Sequence, residues 1–390
     1  MSSTAFTNIA TLVTNDPSIG DGPLGVLHGA TVVIENEKIS HIGKGTPIGV
    51  DKEIDCSSKT LIPGFVDSHT HLIFAGDRAQ EFSARSRGEK YTAGGINTTV
   101  ESTRNASDSI LTANAQRLLN EATLSGTTTV EIKSGYGLNE VDEVRSIDIA
   151  SQFTVETTLL AAHVIPREFK DNPDGYIDLI VKMIIPASKA KWIDVFCDSG
   201  AFSENQSRRI FDAGIAHGMI PRIHANQLRR TNSVQLAIEL GAASADHLSN
   251  STDEDVQALA ASETVATLLP GAEFSTQHEG KLGRRFLDAG AKVAIASDCN
   301  PGSSYTTSMP FCIAAAVSLM GFTVEEAVLA STLGGAQALR RSDIGKIAPG
   351  FRADLALLES ESYIHLAYRP GVNLISQTYK SGRAVSTWQK

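Results

Sequence analysis

The sequence predicts an α/β fold: a (β/α)8 barrel of the TIM type with a small β-sandwich domain built from both chain termini. Three observations carry that expectation. Eight short apolar runs recur through the middle of the chain with helix-like segments between them. Most of those runs carry histidine, aspartate or another polar residue at or next to their last position. The two ends of the chain share a different, turn-rich β character.

Residues 1–60 alternate β-like stretches with turns, as in "GVLHGATVVIENEKISHIG", where apolar residues fall at period two and glycines break the run. The stretch from "GKIAPGFRADLALL" to "SGRAVS" near the C-terminus reads the same way. Termini of compact domains often lie close together, so residues 1–60 plus 345–390 are expected to form one composite β domain, leaving 61–344 for the barrel.

The eight runs are "LIPGFVDSHTH" (61–71), "TTTVEIKSG" (127–135), "TTLLAAH" (157–163), "WIDVFCDSG" (192–200), "MIPRIHA" (219–225), "AASADH" (242–247), "TVATLLPG" (264–271) and "KVAIASD" (292–298). Helix signals stand between them: a cap at Asn139 followed by acids, a cap at Ser251 or Thr252, and stops at Gly218 and Gly290. Strands alternating with helices imply a parallel sheet, and eight is the number that closes a barrel. An open doubly wound sheet would show a glycine-rich phosphate loop after its first strand; here that strand runs into "DSHTH".

Composition narrows the function. The 390 residues are 42% hydrophobic and 20% charged, ample for a core, and the net charge of −10 disfavours nucleic acid or an anionic membrane while leaving room for a local basic pocket. No apolar run reaches the roughly 18 residues of a membrane span, and no secretory leader pattern opens the chain. Four scattered cysteines, Cys56, Cys197, Cys299 and Cys312, lack a CxxC pattern and read as free thiols in a reducing compartment, so a cytoplasmic location is expected.

His69 and His71 are two apart on a strand and project together. Alone, such a pair could be structural. His163, His224 and His247 also end runs, and Asp298 ends the eighth, so five of ten histidines and one carboxylate fall at the barrel face where side chains from distant segments converge. Three imidazoles and a carboxylate suit zinc or iron better than calcium or magnesium. The expected ligands of one Zn2+ or Fe3+ per chain are His69, His71, His224 and Asp298. Asp298 is also expected to move protons and His247 to steady an oxyanion, with His163 nearby. Lys133 reads as a structural or solvated lysine, since no second metal set is evident.

The HxH pair, the aspartate on the eighth run and "GKIAPGFRADLALL" resemble the amidohydrolase superfamily. "GDRAQEF", "EIKSGYGL", "AAHVIP", "ELGAASADHLS" and "SDCNPGSS" are similar to its imidazolonepropionase family. That resemblance covers about residues 61 to 385 and implies hydrolysis of a ring C–N bond in an anionic small molecule, 4-imidazolone-5-propanoate, to N-formimino-L-glutamate. It assigns the substrate's carboxylate to Arg78, with Tyr91 as a weaker candidate, and substrate contacts to Tyr136, His163, Gln227, Asn300, Gly302 and Ser303. Gln227 stands where some family members carry a glutamate, and an amide cannot accept and return a proton, so it can only bind and orient. The resemblance also implies a homodimer, by analogy alone. The competing readings are another cyclic amide or amidine hydrolase or deaminase of the superfamily, and a metal-binding scaffold without turnover.

Overall fold

The computed structural model describes residues 3–45, 49–88, 95–278 and 280–390; Tyr91 lies outside the described residues. Eight parallel strand segments run Phe65–Asp67, Thr127–Val130 with Ile132–Lys133, Thr157–Ala162, Trp192–Cys197, Ile220–Ala225, Ser244–His247, Val265–Leu268 and Val293–Ile295. Each pairs in parallel with the next. The eighth returns to the first: the Asp298 N–H donates to the His69 carbonyl at 3.0 Å, and the His71 N–H to Cys299 at 2.9 Å. The sheet curls into a TIM-like barrel. Its strands are buried on both faces, so they read as nearly unbroken apolar runs rather than alternating ones.

Helices cover the outside, and their ends follow the sequence signals. Asn139 caps Glu140–Ser151 by accepting the Asp142 N–H at 2.9 Å. Thr252, rather than Ser251, caps Asp253–Ala260 in a reciprocal box with Asp255. Gly218 (φ 82°) and Gly290 (φ 78°) lie just past the helices Glu204–Ala216 and Leu282–Asp288, in the left-handed region that stops a helix. Among the described residues no helix is long and apolar enough to cross a membrane.

The run expected as one strand over 61–71 is divided. Thr60–Pro63 pairs antiparallel with Leu355–Leu358 outside the barrel, and only Phe65–Asp67 enters it. Gly64 makes the transition because a Cβ there would stand 2.4 Å from the Thr128 side chain. The outer sheet runs Arg383–Val385, Ile375–Lys380, Leu355–Leu358, Thr60–Pro63, Thr11–Val13, Val26–Leu27, joining both ends of the chain. A four-stranded sheet of Lys38–Gly43, Ala30–Glu35, Ser3–Ile9 and Lys52–Asp55 lies beside it. One buried cluster, including Phe6, Ile9, Val32, Leu61, Leu355 and Tyr379, draws on both sheets.

Candidate metal centre and active-site cleft

The first strand ends at Asp67, whose carboxylate takes the Ser297 N–H at 2.9 Å and the Ser297 hydroxyl at 2.5 Å, tying it to the end of the eighth. Beyond that tie the chain delivers His69 and His71 to one point, their Nε2 atoms 3.2 Å apart. Asp298 Oδ1 stands 3.5 Å from His69 Nε2 and 3.4 Å from His71 Nε2. Donor atoms of His69, His71 and His224 lie within 4.8 Å of one another, and so do those of His69, His247 and Asp298. Every one of these residues is buried.

That spacing fits a metal ion. Two nitrogens about 2.1 Å from one tetrahedral ion stand about 3.4 Å apart. The rear nitrogens are fixed by carboxylates: His69 Nδ1 donates to Asp246 at 2.7 Å, and His224 Nδ1 to Asp194 at 3.1 Å. A proton held at Nδ1 leaves the Nε2 lone pair facing the cluster. Cations stand behind both carboxylates, Arg222 3.5 Å from Asp246 and Lys133 2.9 Å from Asp194. Burial, reinforced by Lys133 and the neighbouring histidines, holds the His69 imidazole well below its ordinary range. Burial does the same for His71 and His163, and brings His247 down to about 3. Neutral imidazoles are the form that ligates. Burial pushes the Asp298 carboxyl up, against the pull of His247 and His224.

Two backbone turns aim side chains inward. Strand alternation would send Asp246 and His247 to opposite faces. His247 instead has φ 77°, in the left-handed region, so Asp246 reaches His69 while His247 faces His224 with ring centroids 5.2 Å apart. Asp298, at φ 51°, makes a similar turn past the eighth strand. Positive φ at bulky residues is strain of the kind stored at functional sites.

Above the cluster opens a cleft of about 490 Å3, its mouth included, lined among others by His71, Arg78, Tyr136, His163, His224, Gln227, His247, Asp298, Asn300 and Ser303. His69 is fully buried and outside that lining, and Gly302 lines an adjoining groove. His163 stacks on His71, centroids 5.4 Å apart, with its Nδ1 3.0 Å from the Gly135 carbonyl. The Tyr136 ring is 6.1 Å from His71. Asn300 spends its amide within its own turn: Oδ1 accepts the N–H groups of Gly302 and Ser303, and Nδ2 donates to the Asp298 carbonyl and to Ser303 Oγ. Ser303 Oγ in turn reaches Asp298 Oδ2 at 3.1 Å. Arg78 is paired with Glu81.

Sequence reasoning missed Asp194, Asp246, Glu131, Arg222 and Glu81. Asp194 and Glu131 offered a signal, carboxylates inside apolar runs where an unpaired charge is costly.

Comparisons with known proteins place the chain. A family model described as "Amidohydrolase family" matches residues 199–385. A protein named imidazolonepropionase from Streptomyces griseus subsp. griseus is 55% identical, covering 99% of this chain and 100% of its own length. One of the same name from Mycolicibacterium smegmatis is 53% identical over 100% of this chain and 98% of its own. Among solved structures, atrazine chlorohydrolase from Arthrobacter aurescens TC1 complexed with zinc superposes with a TM-score of 0.71 at 16% identity, covering 98% of this chain and 94% of the other. Guanine deaminase from C. acetobutylicum gives 0.72 at 14% identity, covering 98% and 100%. Those two share the fold.

Proposed function

This chain belongs to the imidazolonepropionase family, and from that premise we propose how its residues divide the work. It is a hydrolase of histidine degradation that opens the cyclic C–N bond of 4-imidazolone-5-propanoate to give N-formimino-L-glutamate. The observation that carries the division of labour is the convergence of three imidazoles and one carboxylate, from three separate segments, beneath a single cleft.

One Zn2+ or Fe3+ per chain would be held by His69, His71, His224 and Asp298; the ligand set suits both ions, and the zinc of the chlorohydrolase makes zinc the first to test. Such an ion lowers the pKa of a water toward about 7 and polarises a carbonyl oxygen. Asp298 takes the proton that the water gives up as its oxygen joins the ring carbonyl carbon. The same carboxyl then passes that proton to the ring nitrogen as the C–N bond breaks. Ser303 keeps Asp298 Oδ2 oriented meanwhile. His247, neutral in its buried position, donates an N–H hydrogen bond to the developing oxyanion.

Arg78 binds the substrate's carboxylate away from the reacting bond, turning remote affinity into orientation. Tyr136 and His163 face the ring, Gln227 orients it by hydrogen bonding, and Asn300 and Gly302 shape the turn that carries Ser303. We assign the enzyme to the cytoplasm as a homodimer acting on a small anion, without nucleic-acid or membrane partners. The two terminal sheets belong, in this reading, to one composite β-sandwich domain of residues 1–60 plus 345–390 on a 61–344 barrel. Loss of the substrate's ultraviolet absorbance, followed with metal, after chelation and after metal is restored, tests the whole reading. Turnover that survives full chelation would remove the metal from it.

A further inference from the structure

Glu131, at the break between Thr127–Val130 and Ile132–Lys133, and Lys133 contribute nothing to the cleft, yet both are wholly buried beneath it. Their spacing of two puts them on one face, and Lys133 Nζ stands 2.9 Å from Glu131 Oε1. The same ammonium stands 2.9 Å from Asp194 Oδ2. Asp194 Oδ1 accepts both the backbone N–H of His224, at 3.2 Å, and its Nδ1–H, at 3.1 Å. A chain of contacts therefore runs from Lys133 to the imidazole of His224.

Glu131 reaches the other ligands. Its Oε2 accepts the N–H of Thr70 at 3.1 Å, and its backbone carbonyl accepts the Thr70 hydroxyl at 2.6 Å. The Lys133 N–H donates to the Thr70 carbonyl at 2.9 Å. Thr70 is the residue between His69 and His71, so two hydrogen bonds to its backbone and one from its hydroxyl tie the histidine pair to this segment. Thr158 also donates to Glu131 Oε1, which completes that carboxylate's shell.

We propose that the buried Glu131–Lys133 pair is the positioning device of the metal centre, Lys133 setting the orientation of His224 through Asp194 while Glu131 sets that of His69 and His71 through Thr70. A solvated lysine is excluded by burial. A lysine serving only the fold needs no partner that itself holds a metal-facing imidazole. A buried ion pair is weak as a source of stability and costly to break singly, which is why a role in geometry explains its retention better than a role in stability. The inference rests on His69, His71, His224 and Asp298 being the ligands.

The test is a cobalt(II) titration of chelated protein, read by the visible absorption of the bound ion and by competition with a chromophoric chelator. Wild type is compared with Lys133→Met and with Glu131→Gln/Lys133→Met, which removes both charges together. Positioning predicts about 10- to 100-fold weaker cobalt binding and an altered visible band in whichever variant folds, at a thermal midpoint of the metal-free double variant close to wild type. Binding within twofold of wild type with an unchanged band overturns the inference. So does failure of both variants to fold, since the pair would then serve the fold instead. A wild-type chain that binds no cobalt would sink the ligand assignment above, a separate outcome.

Discussion

Arg78 lends Nε and one Nη to Glu81, at 2.8 and 2.6 Å, and lays its other Nη against Gly302, where a Cβ would stand 2.3 Å away. A carboxylate on one side and a bare backbone on the other aim the guanidinium, which lines the cleft with little of its surface exposed. Arg78→Met should raise KM by about 10- to 100-fold while changing kcat far less, since a charge-assisted hydrogen bond contributes about 1.5–3 kcal/mol. Gly302→Ala should push KM the same way by displacing that Nη. Steady-state kinetics decide; an unmoved KM in Arg78→Met would take the residue out of substrate binding.

Asp298 faces two histidines and is held from behind by Ser303. Asp298→Asn keeps a carbonyl oxygen for a metal but cannot take a proton and return it. The variant should retain part of its metal, measured by elemental analysis, and lose turnover by about 100-fold or more, the span general acid–base catalysis commonly supplies. Near-normal turnover with metal bound would refute the proton role.

The strand ends were legible because polar residues closing apolar runs are conspicuous, and His69, His71, His224 and Asp298 were found that way. The partners behind them were not. Asp246 sits beside His247, and alternation allows only one of the two to face inward; the positive φ at His247 that admits both is a backbone fact no spacing reveals. Lys133 reads from the sequence only as a structural or solvated lysine and Glu131 draws no notice, because their partners Asp194 and Thr70 are distant in sequence. The break at Gly64 escaped notice for the same reason: Thr128, which forbids a Cβ there, is 64 residues away in the chain.

The buried histidines predict how the metal-free protein responds to acid. Burial, ahead of neighbouring charges, keeps His69, His71 and His163 well below their ordinary range and His247 near 3. The unfolded chain takes up protons near pH 6.5 while the folded one does not, so stability is intact above that pH and falls below it. Each pH unit lower costs about 1.4 kcal/mol for every histidine that stays neutral. The thermal midpoint of chelated protein should therefore drop by several degrees between pH 7.5 and 5.5, and His163→Phe should flatten the slope. A midpoint that holds steady across that range would mean these imidazoles are not kept neutral.

Glu143 lies outside the cleft and still governs one of its walls. Its Oε1 accepts the N–H groups of Gly137 and Leu138, both at 2.8 Å, pinning the loop that follows Tyr136 and holding Leu138 at φ 52°. Burial pushes this carboxyl up despite those hydrogen bonds and one from Ser134. A raised folded pKa means stability present below the unfolded value and lost as pH rises through the folded one. Glu143→Gln keeps the accepting oxygen and never ionises, so it should raise the thermal midpoint at pH 8, with the gain shrinking toward pH 4, and leave KM near wild type. Glu143→Ala removes the acceptor from two buried N–H groups, at about 1–3 kcal/mol each, and should raise KM severalfold as Tyr136 loses its support. If alanine leaves KM where glutamine does, the loop keeps its shape without Glu143, and the packing of Tyr136 among the Phe74, His71 and His163 rings is enough to hold it.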